Sequence, residues 1–482
     1  MPENVVIDVV VVGAGPAGMT AASCLAQSGV RVLVLDEHTA PGGQVYRSVE
    51  KVTDKRSADL NVLGSHYRNG SKLVERLHSS GAQYWPGTSV WEISAAGEST
   101  LAVGVVRDGR VQLIQAGHII LATGAMERPT PFPGWTLPGV MTVGAAQTLL
   151  KSSGLVPDGR IAVAGSGPLL YLYVSQLIKA GKKPQVILDT QPRTSLQAKL
   201  SVLAALTVDP ASMFRGLGWM REVRREVQVR KRVHRLRAGG VEKLSSISYV
   251  SCDRQFTDDV DLLLVHDGVI PNTWLAMSAG CRHHWDVQQR CWVPDITGAG
   301  QTSRQSVSVV GDAAGIMGAD ASVLHGEAVA SEVIACLEGK QQNAVGNAAH
   351  PFLVRQQRLL RRCLDQFYPP APEFELPPDD ETIVCRCEEV TAGQIRQVAT
   401  LGCVGPNQGK AFTRCGMGPC MGRKCGVTVS RLIAEHHGLG MDEVGHYRIR
   451  PPVKPITVAQ LAELEVDTVS YTHLTLPTNS RV

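Results

Sequence analysis

The sequence predicts an α/β fold with two Rossmann-like, dinucleotide-binding domains and a small helical domain near the end of the chain. Two separate segments have the order strand, glycine-rich turn, helix, strand, and their apolar runs suit buried parallel strands. Six cysteines lie between residues 385 and 425, after a stretch rich in proline and acidic residues. A chain of 482 residues is too long for one hydrophobic core, so these features indicate several folded parts.

Composition and charge narrow the classes of partner. The net charge of only +4 argues neither for nor against a nucleic-acid surface, and no nucleic-acid partner is expected. One basic run, "REVRREVQVRKRVHRLR" (221–237), alternates with valines, which favours a solvated face over a docking patch for an acidic partner. The start of the chain lacks a basic region and carries Asp8 inside its apolar run, and no uncharged window could span a bilayer. We therefore expect no signal peptide, no transmembrane segment, and a cytoplasmic location, with association at a membrane surface left open.

The first glycine-rich turn lies in "VVIDVVVVGAGPAGMTAASCLAQSGVRVLVLDE". Gly13, Gly15 and Gly18 give the spacing G-x-G-x-x-G where the first strand meets a helix. The first glycine allows the tight turn, the second the approach of a pyrophosphate, and the third close helix packing. Asp36 ends the second strand, at the distance where a carboxylate can accept ribose hydroxyls. This segment predicts a nucleotide site.

Three later segments indicate which nucleotide is bound. "PGGQVYR" follows the second strand, "IILATGA" ends a strand in Thr-Gly, and "VSVVGDAAG" ends a strand in Gly-Asp. In this order they resemble the flavin-binding signature of two-dinucleotide-domain flavoproteins such as thioredoxin reductase. The resemblance implies FAD, with Asp312 on its ribitol chain and Gly43 and Gln44 along the flavin. The matching positions are Gly43, Gln44, Thr123, Gly124, Gly311 and Asp312.

The second glycine-rich turn, in "GRIAVAGSGPLLYLYVSQLIKAGKKPQVILDT", repeats the plan of the first. Gly165 and Gly167 are present, but Leu170 takes the place of the third glycine and should hold the helix away from the strand. Asp189 ends the next strand and would repel a 2'-phosphate, which disfavours NADP. Three interpretations stay open: a site for ATP or ADP, a working NAD site, and a structural domain without a ligand.

No cysteine pair of the kind that disulfide reductases place beside their flavin falls in either nucleotide-binding segment. Thioredoxin reductase and glutathione reductase chemistry is therefore not expected. Neither is an acid-base constellation evident, because the histidines nearest the flavin-type segments, His266 and His325, are better explained as structural.

The dense cysteines near the end indicate a metal centre. In a reducing compartment, cysteines this close together in sequence are more often metal ligands than redox-active thiols. The sequence has a Cys-x-Cys pair followed at a distance by a Cys-x4-Cys pair, whereas structural zinc sites usually have Cys-x2-Cys pairs. The observed spacing therefore favours iron-sulfur ligation. "TAGQ" (391–394) predicts a capping box, and "GVTVSRLIAEHHG" predicts a helix that ends at Gly438.

This stretch resembles the bacterioferritin-associated-ferredoxin-like 2Fe-2S domain, in the form that is fused to flavoprotein dehydrogenases. The resemblance implies the ligands Cys385, Cys387, Cys420 and Cys425. Cys415 stands where relatives often have a small residue, so it is either a spare thiol or a ligand that takes the place of one of these four. Cys403 is expected to be buried. A basic set beside the cysteines should ease reduction of the cluster: Lys410, Arg414, Arg423 and Lys424.

The whole chain to about Glu465 resembles one family, carried by "DEHTAPGGQVYR", "ATGAMERPTPFPGWTLPGVMTVGAAQTLL", "CRCEEVTAGQI", "TRCGMGPCMGRKCG" and "YRIRPPVKPITVAQLAELE". It is similar to the larger flavoprotein subunit of opine oxidase, hydroxyproline dehydrogenase and dye-linked proline dehydrogenase, and to the hydrogen cyanide synthase flavoprotein. The resemblance implies a hetero-oligomer with a smaller, D-amino-acid-oxidase-like flavoprotein subunit that oxidises a secondary amine. This chain would then pass electrons through FAD and the cluster to an acceptor other than oxygen.

Two other functions remain open from the residues alone: a free-standing NAD-linked flavin and iron-sulfur reductase, and a non-catalytic redox-sensing or assembly protein.

The tail "VDTVSYTHLTLPTNSRV" does not match the C-terminal segment that is usual in this family, and it is interpreted as non-native read-through. The expected divisions are an FAD-binding domain in two parts (1–130 and 291–345), a second nucleotide-binding-like domain (131–290), a linker (346–380), a 2Fe-2S domain (381–440) and a C-terminal extension (441–482).

Overall fold

The fold comes from a computed structural model that describes residues 6–97, 100–192, 209–339 and 351–464, with short pieces at 198, 201–202 and 205–206. For residues 351–358 it gives the backbone alone. The tail interpreted as read-through lies outside the described residues.

The strands follow in chain order. They are β1 (Ile7–Val12), β2 (Val32–Leu35), β3 (Gln83–Trp85), β4 (Ser89–Ala95), β5 (Leu101–Arg107), β6 (Arg110–Leu121), β7 (Ala125–Glu127), β8 (Val140–Thr142), β9 (Ile161–Gly165), β10 (Val186–Asp189), β11 (Gln228–Lys231), β12 (Val233–Gly239), β13 (Ser246–Ser251), β14 (Arg254–Asp259), β15 (Leu262–His266), β16 (Val269–Pro271), β17 (His283–Asp286), β18 (Cys291–Pro294), β19 (Ile296–Thr297), β20 (Gln301–Thr302), β21 (Val307–Val309), β22 (Ile383–Cys385) and β23 (Val390–Thr391).

The helices are α1 (Pro16–Gln27), α2 (Val49–Lys55), α3 (Leu60–Leu63), α4 (Asn69–Ser79), α5 (Val143–Ser153), α6 (Pro168–Lys179), α7 (Pro210–Glu226), α8 (Trp274–Ser278), α9 (Ala319–Leu337), α10 (Pro351–Phe367), α11 (Pro372–Glu375), α12 (Ala392–Thr400), α13 (Pro406–Thr413), α14 (Gly426–His437), α15 (Met441–Val444) and α16 (Val458–Ala462). Short 3-10 turns cover Ser57–Asp59, Ser65–Arg68 and Gly311–Ala314.

The first sheet has a parallel centre. Its order is β19, β20, β21, β6, β1, β2, β3, and the strands from β21 to β3 run parallel, while β5 and β4 branch from β6 as an antiparallel arm. In register, Val12 pairs with Leu35 and Leu121, and Leu121 pairs with Val309. Four strands therefore end at the same edge, which is where such sheets bind nucleotides.

The second sheet repeats the parallel arrangement in the order β11, β10, β9, β15, β8. A three-stranded antiparallel sheet, β12 to β14, flanks it, and β7 pairs with β16 where the chain crosses between the two sheets. The predicted fold class, two Rossmann-like domains of the reductase type with a small helical C-terminal part, is confirmed.

The cysteine-bearing region packs onto the first sheet. Val384 and Leu432 share one buried core with Val10, Ile119 and Trp274. The capping box of α12 forms as predicted, and α14 ends at Gly438 with φ +66°. The hydrophobic core of the first sheet therefore continues into the cysteine-bearing region.

The described part of 346–380 is packed, although its proline content predicts a linker. Phe374 is buried, its ring lies 5.7 Å from that of Phe132, and the amide of Ala371 donates to Asp267. Those contacts fix the segment against the second domain. Over the described ranges, no helix combines the length and apolarity that crossing a membrane requires.

Candidate functional site

The first glycine-rich turn has the geometry of a phosphate cradle. A side chain at Gly13, where φ is +106°, would collide with the carbonyl of Ala122, and one at Gly18 would collide with the carbonyl of Gly13. At Gly15 the nearest atom to an added Cβ is 4.0 Å away, so space is open beside it. Gly15 caps α1 without a side-chain bond, and Pro16 follows, so the first amides of this helix are available to an anion.

Asp36 braces this turn. Its two carboxylate oxygens accept from the amides of Ala14 at 2.7 Å and His38 at 2.8 Å. Burial raises the pKa of Asp36, while the two amides act in the opposite direction. The carboxylate therefore lies beside the loop that should carry the pyrophosphate, and each oxygen keeps a second lone pair for a ribose hydroxyl.

Gly43 and Gln44 lie against the same turn. Gly43 has φ +59°, and a Cβ there would be 2.8 Å from the Cα of Gly15. The carbonyl of Gln44 accepts from Nζ of Lys151 at 3.0 Å, and the same ammonium donates to Gln147 at 2.9 Å. Burial, with a smaller contribution from Arg47, lowers the pKa of Lys151 to about 7. Lys151 thus ties α5 to the segment expected along the flavin.

Thr123 and Gly124 follow β6 at the edge where the strands end. The hydroxyl of Thr123 donates to the carbonyl of Asn272 at 2.7 Å, and the amide of Asn272 donates to the carbonyl of Gly124 at 2.9 Å. An added Cβ at Gly124 would meet nothing within 4 Å. The turn is therefore held from one side by Asn272 and is open on the other.

Gly311 and Asp312 follow β21 at this edge. Asp312 Oδ1 accepts from the amides of Met317 at 2.8 Å and Gly318 at 2.9 Å, and its other oxygen has no hydrogen bond among the described residues. The amide of Gly311 donates to Nδ1 of His325, whose Nε2 bonds to the carbonyl of Ala299. His325 is thus structural, and one carboxylate oxygen of Asp312 is available to a hydroxyl.

These turns fit FAD. They combine uncapped amides at α1, open space beside Gly15 and Gly124, and an unengaged carboxylate oxygen on Asp312. The predicted residues of the flavin site therefore come together at one edge of the first sheet.

The second turn keeps its glycine geometry. Gly165 has φ +131° and its Cβ would collide with the carbonyl of His266, while Gly167 caps α6 with φ +110°. Leu170 is buried in the core, and Asp189 accepts from the amide of Gln191 at 3.0 Å. The amides at the start of α6 are uncapped by any side chain, so this turn can also receive an anion.

His266 lies beneath the second turn. Its Nδ1 is 2.9 Å from Oε1 of Glu127, and Oε2 of Glu127 accepts from the amide of Gly144 at 3.0 Å. The pKa of Glu127 is lowered despite its burial, because His266 and that amide favour the carboxylate. The pair fastens β15 to β7 rather than facing the flavin turns.

Five cysteines of the C-terminal region form two groups. The Sγ atoms of Cys385, Cys415 and Cys425 lie within 4.8 Å of one another, all three buried, and form the only cluster of potential metal ligands found in the described ranges. Cys387 and Cys420 are hydrogen-bonded to each other on the outer side. The structure thus groups two of the four predicted ligands, Cys385 and Cys425, with Cys415, while the other two, Cys387 and Cys420, form a separate pair outside that group.

Amide and thiol donors surround Cys385. Hydrogen bonds from Cys415 and Cys425, with the backbone amides of Gly416 and Glu388, hold the pKa of Cys385 well below its ordinary value. Cys425 is the N-cap of α14, whose dipole favours an anion, whereas its thiol contacts with Cys385 and Cys415 and its burial raise its own pKa. This donor set suits an anionic iron-sulfur centre. Cys403 is fully buried and donates to the carbonyl of Gly405 instead.

Tyr447 fills the centre of the loop 415–425. A side chain at Gly416 (φ +83°) or Gly422 (φ +83°) would collide with its ring, and its hydroxyl donates to the carbonyl of Cys415 at 3.0 Å. The glycines of "RCGMGPCMGRKC" therefore make room for this ring. The motif alone does not identify Tyr447, but the quoted segment "YRIRPPVKP" begins at that residue.

The basic residues differ in their contact with the cluster loop. Nζ of Lys410 lies 4.6 Å from the centre of the Tyr447 ring and interacts electrostatically with Cys425. Arg414 pairs with Glu388 at 3.2 Å, which offsets its charge, and Arg423 donates to the carbonyl of Cys420. Within that set, Lys410 is thus the residue whose charge acts on the buried cysteines.

Trp274 joins the two sites. Its indole Nε1 donates to the carbonyl of Met421 at 3.3 Å, inside the cysteine loop, and it lies two residues after Asn272 of the flavin-side turn. Sequence reasoning missed Trp274, because nothing in the local pattern of "PNTWLAMS" indicates a partner 147 residues away.

Two family models match the two parts of the chain that carry these residues. Residues 7–326 match the family described as Pyridine nucleotide-disulphide oxidoreductase, and residues 380–464 match the Sarcosine oxidase A3 domain. An opine oxidase subunit from Agrobacterium tumefaciens (strain Ach5) is 39% identical over 464 residues, which cover 95% of this chain and 92% of that protein.

Two further proteins are similar over most of the chain. Hydrogen cyanide synthase subunit HcnB of Pseudomonas aeruginosa is 30% identical over 486 residues, covering 94% of this chain and 98% of that protein. The crystal structure of L-proline dehydrogenase from P. horikoshii has the same fold, with a TM-score of 0.68 at 20% identity over 95% of this chain and 79% of that one. The chain therefore belongs to the pyridine nucleotide-disulphide oxidoreductase family, within the group of FAD-dependent dehydrogenases that contains the opine oxidase protein and is related to the hydrogen cyanide synthase flavoprotein.

Proposed function

We propose that this chain is the FAD- and 2Fe-2S-containing electron-transfer subunit of a multi-subunit dehydrogenase for secondary amines of the opine, hydroxyproline or proline type. Its relatives from opine oxidase match nearly end to end, and each of them is named as one subunit, which implies a complex. The proposed partner is a smaller, D-amino-acid-oxidase-like flavoprotein subunit, and the acceptor is one other than oxygen.

The observation that carries the proposal is the short connection from the flavin-side turn to the cysteine loop. Gly124 accepts from Asn272, and Trp274 donates to Met421, so one short segment contacts both places. A relay requires its two redox groups to be held near each other in a fixed arrangement. This connection supports a relay better than a chain in which the two sites fold independently.

The residues of the first domain have binding and orienting roles. The uncapped amides in the first turn of α1 would hold the pyrophosphate and Asp312 would hold the ribitol chain, while Thr123 fixes the turn after β6. FAD, when bound, supplies the capacity to take two electrons and release them one at a time.

The residues of the C-terminal region would hold the cluster. Cys385 and Cys425 form the inner ligand pair and Cys387 and Cys420 the outer pair. Because His266 and His325 are both engaged in structural contacts, proton abstraction from the amine is assigned to the smaller flavoprotein subunit.

The second glycine-rich turn is assigned to an adenine nucleotide such as ATP or ADP. The uncapped amides of α6 suit a phosphate, and a buried Leu170 stands where an NAD site of this type has its third glycine. This assignment disfavours a free-standing NAD-linked reductase.

The test is reconstitution with a co-expressed smaller subunit. We expect an opine, hydroxyproline or proline to reduce an artificial dye anaerobically, and a Cys425→Ser chain to keep its flavin while losing most dye reduction. Dye reduction by NADH in the isolated chain would instead support the reductase. Failure of every amine to reduce dye in the assembled complex would support a non-catalytic sensing or assembly role.

A further inference from the structure

Five cysteine thiols lie in the region that is proposed to hold a cluster with four protein ligands. A 2Fe-2S cluster takes two protein ligands on each iron. The outer pair, Cys387 and Cys420, would hold one iron, which leaves three inner thiols for the two remaining ligand positions. One of Cys385, Cys415 and Cys425 is therefore surplus.

The surroundings of the three inner thiols differ. Cys385 receives the amides of Gly416 and Glu388, and Cys425 stands at the N-cap of α14, so both have fixed dipoles that stabilise a ligating thiolate. Cys415 has neither arrangement, because its contacts are with the other two thiols and with Tyr447. Its Sγ lies 4.0 Å from that of Cys425, which is within reach of a sulfur hydrogen bond.

Cys415 is held firmly in this place. It is buried, and its carbonyl accepts from the hydroxyl of Tyr447 at 3.0 Å. The ring of Tyr447 is in turn wedged between Gly416 and Gly422. The backbone that carries this thiol is therefore fixed beside the inner pair.

We propose that Cys415 is not a ligand but a positioning residue whose single S–H donates a hydrogen bond to the ligand sulfur of Cys425, and so raises the reduction potential of the cluster. The inference rests on the proposed function. Hydrogen bonds to cluster sulfurs are one of the factors that set such potentials, because a donor stabilises the extra negative charge of the reduced state. A thiol is a weak donor, so the effect is modest.

The experiment compares three variants of the full chain: Cys415→Ala removes the donor, Cys415→Ser replaces it with a hydroxyl, and Cys403→Ser changes a buried thiol away from the site. Flavin, iron and sulfide are counted per chain, and the cluster is titrated anaerobically with electron paramagnetic resonance detection. We expect Cys415→Ala to keep full iron and sulfide while the reduced-to-oxidised ratio at a fixed potential falls about threefold, which is about 28 mV at 59 mV per tenfold change. Cys415→Ser should recover most of the loss, and Cys403→Ser should match the unmodified chain.

Two results would overturn the inference. Loss of iron from Cys415→Ala, with flavin retained, would make Cys415 a ligand, and an unchanged potential would make it a space-filling side chain. Absence of iron from the unmodified chain would instead refute the proposed function itself. If the alanine variant does not fold, iron-edge anomalous diffraction from the unmodified holoprotein decides: iron bonded to Cys415 Sγ contradicts the inference, and iron bonded only to the two pairs supports it.

Discussion

The indole nitrogen of Trp274 donates a hydrogen bond to the carbonyl oxygen of Met421, across 147 residues of sequence. Through it, the segment that holds the flavin-side turn also holds the cysteine loop. One short segment therefore contacts both sites.

Trp274→Phe should loosen the cysteine loop while the flavin site stays filled. The change keeps an aromatic ring but leaves a partly buried carbonyl without its donor, which costs up to about 1–3 kcal/mol. We expect faster proteolysis within residues 415–425 and slower electron transfer from flavin to cluster, measured by stopped-flow absorbance.

Trp292→Phe is the matched control. Trp292 lies in the same core, and its indole nitrogen has no hydrogen-bond partner among the described residues, so the change removes no bond. Equal effects in the two variants would show that ring packing, not the bond to Met421, fixes the loop.

Gly416→Ala should lower the iron content of the chain several-fold. The new methyl group would collide with the ring of Tyr447 and would also strain a backbone at φ +83°. Gly402→Ala separates the two effects, because φ is +90° there but nothing lies within 4 Å of the added Cβ. Iron content that falls equally in both variants would assign the loss to backbone strain and leave Tyr447 without a role.

The sequence predicts the local parts of these sites and not their contacts with distant residues. The spacing of Gly13, Gly15 and Gly18 is a local requirement of one turn, so it is readable from the residues. The role of Tyr447 depends on a ring that lies 25 residues beyond Gly422 in the sequence, and the role of Trp274 depends on tertiary packing. Cys415 could be a spare thiol or a ligand. The spacing of the cysteines is the same in both cases, so the sequence alone does not distinguish them.

The packed segment around Phe374 illustrates the same limit. Proline and acidic residues predict a linker, and Phe374 in this segment is buried against Phe132, 242 residues earlier in the sequence. Burial of a large aromatic side chain outweighs the local preference for an open chain.

Lys151→Met should flatten the pH dependence of stability between about pH 7 and pH 10.5. The pKa of Lys151 is about 7 in the fold against an ordinary value of 10.5, so in this range the unfolded chain binds more protons than the folded chain. The free energy of unfolding of the unmodified protein therefore rises with pH across the window. Lys72→Met, a change at an exposed lysine of α4, should leave this rise intact when denaturant unfolding is followed at several pH values. A rise that persists in Lys151→Met would contradict the assignment.

The second glycine-rich turn should bind ATP or ADP, as measured by calorimetry, and NADH should not bleach the flavin of the isolated chain. Gly167→Ala, at φ +110° at the start of α6, should abolish the binding, whereas Gly181→Ala, at φ +79° with open space around it, should not. Binding that survives Gly167→Ala would place the nucleotide elsewhere, and NADH bleaching would restore the NAD interpretation.

The most direct measurement is made on the purified chain without oxygen: flavin, iron and sulfide per chain, then absorbance and electron paramagnetic resonance after dithionite. We predict one flavin, two irons with two sulfides, and the rhombic signal of a reduced 2Fe-2S cluster. Zinc in place of iron, or no metal, would contradict the electron-transfer role and leave the five cysteines as a structural site.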